Sequence, residues 1–210
     1  MRYFKKLSAF ILALCFILLS GCNKSGGSSS SEAETSSAIQ AAGDRDYLTL
    51  LYSASDSFNP YTAATDINRQ LCRLMYEPLI KLDNDFNVHY SIAQSAETDG
   101  TTCTVTLKDT QFSDGSRLTA DDVVYSYNAA KNSSTEYAYK LYEVVSATAS
   151  GSNKVIFSIS KSDPYFVNLL DFPIIKKDSE KRKNDDGVEK PPIGAGRYVS
   201  DDEMTKLTVN

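Results

Sequence analysis

The hydrophobic residues of this chain form one uninterrupted run near the N-terminus and a series of short periodic segments from residue 47 onward. The run covers residues 7–20, carries no charge and follows Arg2, Lys5 and Lys6. A helix of that length rises about 21 Å, which is too short to cross a hydrocarbon core of roughly 30 Å. The run is therefore typical of the apolar region of a signal peptide and not of a membrane-spanning helix.

The apolar run ends at Leu19-Ser20-Gly21-Cys22, where two small residues precede a cysteine. This tetrapeptide resembles the bacterial lipobox. The resemblance implies that residues 1–21 are a lipoprotein signal peptide, that cleavage precedes Cys22, and that lipid on Cys22 anchors the chain to a membrane. The alternative is an ordinary secretory signal in which the cysteine is incidental.

Residues 22–46 have the composition of a tether. The stretch is rich in Ser, Gly, Ala and Glu, contains no aromatic residue, and has Ile39 as its one large aliphatic side chain. Such a segment cannot bury enough apolar surface to fold. We therefore predict a flexible tether with a reach of roughly 25–30 Å.

From residue 47 onward, alternating or continuous apolar segments predict β-strands. The alternation is clearest in residues 102–107, where Cys103, Val105 and Leu107 share one face and should lie in the core. Asp99-Gly100, just before this segment, predicts a hairpin turn. A buried strand is predicted at residues 47–52, and further extended segments at 79–82, 143–149, 154–160, 172–175, from 198 onward and at 206–210.

Helical spacing of apolar residues predicts four helices. In the first, we expect Asp66 to act as the N-cap and Pro78 to end the helix near residue 77. In the second, Thr119 caps the residues from Ala120 onward, and Asp122 completes a variant of the capping box. A third helix is predicted at 135–142 and a fourth opens at Asp163-Pro164. The inner faces are predicted to be Ile67, Leu71, Leu74 and Met75 in the first helix and Val123, Val124, Tyr127 and Ala130 in the second.

Acidic residues outnumber basic ones, so that the formal charge is −5 for the whole chain and −8 without residues 1–21. An acidic surface argues against nucleic acid or anionic lipid as the partner. Of the four cysteines, Cys15 would leave with the signal peptide and Cys22 would carry lipid. Cys72 and Cys103 could form a disulfide outside the cell, but their positions in a predicted helix and a predicted strand favour two buried small hydrophobic residues.

The sequence offers little that could support catalysis. The single histidine, His89, lies in an extended segment without a metal-ligand pattern around it, and no Cys-x-x-Cys is present. Motifs for a nucleophile, a phosphate loop or a dinucleotide site are also missing. We therefore predict no catalytic residue, no metal site and no cofactor, and an enzyme would need a site outside these 210 residues.

One longer stretch, FSDGSRLTADDVVYSY at residues 112–127, resembles the signature of the family 5 extracellular solute-binding proteins. These are the peptide, oligopeptide and nickel receptors of ABC importers. Shorter matches follow in the family order: Tyr76-Glu77-Pro78-Leu79 with Leu82, Ile92-Ala93-Gln94-Ser95, Leu107-Lys108-Asp109, Phe172-Pro173-Ile174 and Pro192-Ile193-Gly194-Ala195-Gly196-Arg197-Tyr198. The family usually has Pro, Trp, Thr and Pro where this chain has Tyr90, Ala96, Ala195 and Arg197. These departures leave the subfamily open.

The resemblance implies an α/β fold of the class II periplasmic-binding-protein type, in which two lobes close over a ligand in the cleft between them. It places the start of the lobe 1 sheet domain at residues 47–86 and an extra α+β domain at 87–177. A charged loop then covers 178–192, and the chain returns to lobe 1 at 193–210. Because family members are far longer, we expect this chain to be an N-terminal fragment and the second lobe to lie beyond Asn210.

The resemblance also implies that the protein binds a ligand and does not catalyse a reaction. The loop before the first helix faces the cleft in relatives, which makes Ala64, Thr65 and Asp66 candidate ligand contacts, with helix capping as the alternative role of Asp66. We predict a substrate-binding lipoprotein that binds peptides or oligopeptides at the outer face of the bacterial cytoplasmic membrane and delivers them to the permease subunits of an ABC transporter. The alternatives are a nickel-complex, haem or oligosaccharide receptor of the same family, or a structural or adhesive surface lipoprotein.

Overall fold

The computed structural model describes residues 49–210. The predictions for the signal peptide at 1–21, for lipid on Cys22 and for the tether at 22–46 lie outside the described residues. The described part forms three α-helices and eight β-strands. In chain order these are α1 (Asp66–Met75), β1 (Ile80–Leu82), β2 (Val88–Tyr90), β3 (Ala93–Asp99), β4 (Thr102–Leu107), α2 (Ala120–Lys131), α3 (Glu136–Lys140), β5 (Val144–Ala149), β6 (Lys154–Ile159), β7 (Tyr198–Ser200) and β8 (Leu207–Val209).

The largest sheet of the described residues is antiparallel, has four strands and follows the order β3-β4-β6-β5. The predicted hairpin between β3 and β4 is confirmed, and Gly100 in its turn has a φ of 59°, a conformation that glycine adopts readily. The register places Val105 opposite Val155 and Cys103 opposite Phe157. All four of these side chains are fully buried and form the centre of one hydrophobic face.

Helix α2 packs against strands β5 and β6, and the predicted capping box fixes its start. The Asp122 carboxylate accepts hydrogen bonds from the Thr119 N–H at 2.9 Å and from the Thr119 hydroxyl at 2.7 Å. Its other oxygen accepts from the Lys177 N–H at 3.0 Å, which ties a distant loop to the start of the helix. Three of the four expected inner positions are buried and the last is half-buried: Val123, Tyr127, Ala130 and Val124.

The segment Pro191–Gly196, here called the crossing segment, lies against the C-terminal end of helix α1. The Gly196 N–H donates to the Met75 carbonyl at 2.9 Å. Neither glycine has room for a side chain, because a Cβ on Gly194 would lie 2.5 Å from the Tyr76 ring and one on Gly196 would lie 2.5 Å from the Met75 carbonyl oxygen. The two glycines therefore set how closely the crossing segment approaches the helix.

The buried strand expected at residues 47–52 is a wrong prediction for the part that the structure describes. Residues 49–52 form no strand, and Leu50, Leu51 and Tyr52 are 41%, 77% and 41% exposed. A strand is stable only when a neighbouring strand takes up its backbone hydrogen bonds. None of the strands within residues 49–210 pairs with this segment.

The helix expected to open at Asp163-Pro164 is also wrong, since only a 3-10 turn forms, at Phe166–Leu169. The Asp163 carboxylate accepts from the Tyr165 N–H at 2.8 Å, as an N-cap does. The backbone bonds that follow span three residues and not four, for example from the Asn168 N–H to the Tyr165 carbonyl at 3.0 Å, so the turn is 3-10. Soon afterwards Pro173 forms an extended bridge with Pro78, where the chain is no longer helical.

The other elements agree with the predictions in kind and differ by a few residues at their ends. On the predicted inner face of helix α1, Leu71 and Met75 are buried and Leu74 is half-buried, but Ile67 is 38% exposed, so its prediction is wrong. Helix α1 ends at Met75 and not near residue 77, because Tyr76 has an extended backbone with φ −125° and ψ 127°. Cys72 and Cys103 are both free and buried, as the sequence favours. Of the helices in residues 49–210, none combines the length and the apolar character that crossing a membrane requires.

Replacement of Gly196 by alanine should destabilise the fold by about 3 kcal/mol, because the new methyl group would overlap the carbonyl groups of Leu74 and Met75. Gly100→Ala is the matched control. Nothing lies within 4 Å of its Cβ position, so only the positive φ penalises this substitution, by about 1 kcal/mol. Urea denaturation followed by circular dichroism would measure both free energies of unfolding, and equal losses would contradict the close contact.

Candidate functional site

The predicted ligand contacts lie at the end of a loop, residues 53–65, here called the N-terminal loop. Asn68 of helix α1 holds the start of this loop and is itself fully buried. Its Oδ1 accepts from the Ser53 N–H at 2.8 Å, and its Nδ2 donates to the carbonyls of Ser53 at 3.0 Å and Ser57 at 3.2 Å. One helical side chain therefore holds Ser53 and Ser57, in the first part of the loop, against the helix.

Asp56 holds the end of the N-terminal loop. Its carboxylate accepts from the N–H groups of Ala64 at 2.9 Å and Thr65 at 2.8 Å, and from the Thr65 hydroxyl at 2.5 Å. Partial burial raises the pKa of Asp56, but these hydrogen bonds and one from the Ser57 N–H favour the charged form and together lower the pKa to about 2. The carboxylate is therefore ionised at neutral pH and fixes the position of Ala64 and Thr65.

Thr65, and not Asp66, caps helix α1. The Thr65 backbone is extended, with φ −87° and ψ 142°, and its hydroxyl oxygen accepts from the Asn68 N–H at 3.4 Å. The cap role expected for Asp66 is therefore wrong, because Asp66 is already the first residue inside the helix. Its side chain is 89% exposed and forms an ion pair with Arg69.

Most backbone groups around the predicted contacts are already committed to the loop itself. The N–H groups of Ala64 and Thr65 bond to Asp56, and the Ala64 carbonyl accepts from the Arg69 guanidinium at 3.1 Å. Among the described residues, the Asp66 N–H has no hydrogen-bond partner. The N–H and the exposed carboxylate of Asp66 are therefore the groups at this position that a ligand could use most readily.

Two cavities lie near helix α1, and neither is lined by the three predicted contacts. The larger, of about 210 Å³, is bordered by the crossing segment and by residues 198–202. The smaller, of about 20 Å³, lies beside Arg69. Ala64 and Asp66 are exposed and Thr65 is half-buried, so the end of the N-terminal loop forms an exposed edge of the described residues.

The sequence pattern did not single out the two residues that organise the loop, Asp56 and Asn68. A signal was available for Asn68, because it lies at helical spacing with the buried residues Leu71, Cys72 and Met75. A polar residue on an apolar helix face needs a specific hydrogen-bond partner. Asp56 carries no such signal, since its partners lie eight and nine residues away across an irregular loop.

Comparison with known proteins identifies the family. Residues 87–206 match the model of the middle region of the bacterial extracellular solute-binding proteins, family 5. The chain belongs to this family. The match confirms the resemblance carried by residues 112–127 and by the crossing segment, whereas the N-terminal loop lies before the matched residues.

The curated relatives of this solute-binding protein include two proteins of Bacillus subtilis strain 168. The oligopeptide-binding protein AppA is 29% identical over 163 residues, which cover 75% of this chain and 30% of the relative. The oligopeptide-binding protein OppA is 28% identical over 204 residues, which cover 85% of this chain and 37% of the relative. The chain therefore spans about a third of the length of these relatives.

Solved structures confirm the fold. The structure of AppA from Bacillus subtilis in complex with a nonapeptide superposes with a TM-score of 0.59 and 25% identity, covering 73% of this chain and 34% of that chain. The unliganded open form of the periplasmic murein tripeptide binding protein MppA has a TM-score of 0.60 at 21% identity, with coverage of 73% and 34%. The described residues therefore form part of the α/β fold of a family 5 binding protein.

Asp56→Asn should destabilise the chain by about 1 kcal/mol at neutral pH, because a charged acceptor of four hydrogen bonds is replaced by a neutral amide. The pKa of Asp56 is about 2 in the folded chain and 3.8 without its partners. The carboxylate therefore stabilises the fold above about pH 4, and this stabilisation disappears as the pH falls towards about 2.

Urea denaturation at a series of pH values would test this expectation. The difference in unfolding free energy between the wild type and Asp56→Asn should be constant from about pH 5 to about pH 7 and shrink below about pH 4. Asp66→Asn is the control and should lose little stability, since its exposed carboxylate bonds only to Arg69. A difference that stays constant down to pH 2 would show that Asp56 does not hold the loop through its charge.

Proposed function

We propose that this chain belongs to the substrate-binding lipoprotein of an ABC importer, which binds peptides or oligopeptides outside the cell and delivers them to the transmembrane permease. The observation that carries this proposal is the family match over residues 87–206, together with relatives that are named as oligopeptide-binding proteins. The structure of AppA with a nonapeptide supports the same class of ligand. The proposed activity is binding and release, without a catalytic step or a cofactor.

The end of the N-terminal loop is proposed to contribute one edge of the ligand site. Asp56 and Asn68 hold this edge in one conformation before any ligand arrives, which reduces the entropy that binding would otherwise lose. The carboxylate of Asp66 can accept from an ammonium or amide group of a peptide, and its N–H can donate to a peptide carbonyl. Ala64 and Thr65 would then act through contact and by placing Asp66.

The rest of the site is proposed to lie in the two thirds of the relatives that this chain does not span. In this arrangement residues 47–86 and 193–210 belong to lobe 1, and residues 87–177 form the extra domain, followed by the charged loop 178–192. The hydrogen bond between the Gly196 N–H and the Met75 carbonyl supports the return of the chain to lobe 1, because it brings the crossing segment back to helix α1.

The anchor is proposed to be lipid on Cys22, attached after removal of residues 1–21. The tether at 22–46 would hold the receptor near its permease at the outer face of the cytoplasmic membrane. The acidic surface, with a formal charge of −8 after processing, fits a receptor that stays off anionic headgroups.

A peptide that binds should raise the melting temperature of the intact protein, which holds the rest of the proposed site as well as the edge described here. At a concentration of about 100 times its Kd, a ligand stabilises the folded state by about 2.7 kcal/mol, which corresponds to about 5–10 °C for a domain of about 150–250 residues. A thermal-shift screen would compare pools of peptides of two to nine residues with free amino acids, nickel–histidine, haem and maltooligosaccharides. A shift with one of the other ligands and none with any peptide would replace the peptide receptor by that receptor class.

The same assay would test the loop. Asp66→Asn should weaken peptide binding by up to about five-fold, which corresponds to one exposed polar contact. Asp85→Asn, in the exposed turn between β1 and β2, is the matched control and should leave the affinity unchanged. Equal affinities of the wild type and Asp66→Asn would remove Asp66 from the site without affecting the peptide assignment.

Lipidation can be tested in bacterial cells. In a host with lipoprotein processing, the wild-type chain should incorporate labelled palmitate and sediment with membranes, whereas Cys22→Ser should do neither. Cys15→Ser, within the apolar run, is the control and should be labelled like the wild type. Membrane association of Cys22→Ser equal to that of the wild type would rule out Cys22 as the anchor.

A further inference from the structure

Tyr76 is the residue that follows helix α1, and its side chain is buried between the N-terminal loop and the crossing segment. The Tyr76 hydroxyl lies 2.9 Å from the carbonyl oxygen of Phe58, in the loop, and 3.2 Å from that of Pro192, in the crossing segment. Both carbonyls are hydrogen-bond acceptors, and a hydroxyl has a single proton to donate. The Tyr76 hydroxyl can therefore donate a full hydrogen bond to only one of the two carbonyls at a time.

A second donor resolves this competition. The Cys72 thiol sulfur, one turn earlier in helix α1, lies 3.3 Å from the same Phe58 carbonyl. Both carbonyls are satisfied when Cys72 donates to Phe58 and Tyr76 donates to Pro192. Burial raises the pKa of the Cys72 thiol to about 12, with a contribution from nearby Asp56, and burial likewise raises the pKa of Tyr76 well above its usual value, so both groups keep their protons.

The two carbonyls differ in the partners available to them. Within residues 49–210, Tyr76 is the one donor to the Pro192 carbonyl, whereas the Phe58 carbonyl has both Tyr76 and Cys72. A loss of the thiol donor would draw the Tyr76 proton towards Phe58, its nearer acceptor. The buried Pro192 carbonyl would then lack a hydrogen bond, which destabilises the crossing segment.

We propose that Tyr76 is a positioning residue that couples the N-terminal loop to the crossing segment by sharing one hydroxyl proton between them. A change on one side of the hydroxyl then alters the hydrogen bonding of the other side, although no hydrogen bond joins the two segments directly within residues 49–210. This role rests on the proposed function, because it concerns how the loop edge of the ligand site communicates with the segment that returns to lobe 1. The coupling itself, however, can be measured without a ligand.

Cys72→Ala tests the coupling, because Cys72 bonds to the loop and the effect is read in the crossing segment. Hydrogen exchange of the 210-residue chain would be followed at Gly196, whose N–H bonds to Met75, and at Ile193, whose N–H bonds to the Ser179 hydroxyl oxygen. Both amides should exchange about five-fold faster, which is the change expected for one lost hydrogen bond. Cys103→Ala removes the other buried thiol, in strand β4, and should not change these two rates.

Tyr76→Phe completes a double-mutant cycle. This variant should also speed exchange at Ile193 and Gly196 about five-fold, and adding Cys72→Ala to it should give no further increase at these amides. Tyr127→Phe is the matched control, since Tyr127 is equally buried and its hydroxyl donates to the Val144 carbonyl at 3.1 Å, away from the crossing segment. It should leave both rates unchanged.

Two results would overturn the proposal. One is an unchanged exchange rate at Ile193 and Gly196 in Cys72→Ala, which decides the matter even if Tyr76→Phe does not fold. The other is the same increase from Cys72→Ala in the wild-type and Tyr76→Phe backgrounds, since the effect would then bypass Tyr76. A failure to bind peptides in the thermal-shift screen would remove the proposed function and leave this cycle intact.

Discussion

The hydrogen bond from the Gly196 N–H to the Met75 carbonyl is the contact around which the described fold is arranged, since it joins distant parts of the chain at a distance that only glycine permits. Two further backbone hydrogen bonds hold the crossing segment, at Gly194 and at Ile193. The Ser113 N–H donates to the Gly194 carbonyl, and the Lys176 N–H donates to the Ile193 carbonyl, both at 2.9 Å. The end of helix α1, the turn between β4 and α2, and the segment around Lys176 therefore all bond to one extended stretch. Because buried backbone groups need partners, these elements cannot separate without a large loss of stability.

Sequence patterns predicted the parts of the fold whose physics is local. The turn at Gly100 and the capping box of Thr119 and Asp122 involve residues only a few positions apart, so the sequence contains everything that decides them. The segment 49–52 is different, because an apolar stretch becomes a strand only beside a partner, and within residues 49–210 it has none. At Asp163-Pro164 the local pattern predicted where a helical turn starts but not its type, which is 3-10 at Phe166–Leu169.

In the candidate site, too, local features were predicted and contacts between distant residues were not. The position of Ala64, Thr65 and Asp66 at the start of helix α1 followed from the sequence and from the family resemblance, but their roles did not. Thr and Asp are both good N-caps, so adjacent residues of these types leave the helix start ambiguous. Asp56 decides it by binding the Thr65 N–H and hydroxyl, and this leaves the Asp66 side chain exposed. Thr65 therefore takes the cap role that the local pattern assigned to Asp66, and the Asp66 side chain faces solvent.

The hydrogen bonds of the Asn68 side chain also limit where a protease can cut the chain. Proteases bind their substrates as extended, accessible backbone, and residues 49–52 are free of regular structure, with exposed side chains at Leu50, Leu51 and Tyr52. At Ser53 this accessibility ends, because both its N–H and its carbonyl are bonded to Asn68. Limited digestion from the N-terminal side is therefore expected to stop near Ser53. A chain cut at this point would lose the residues before Ser53 and keep the N-terminal loop, helix α1 and the crossing segment intact.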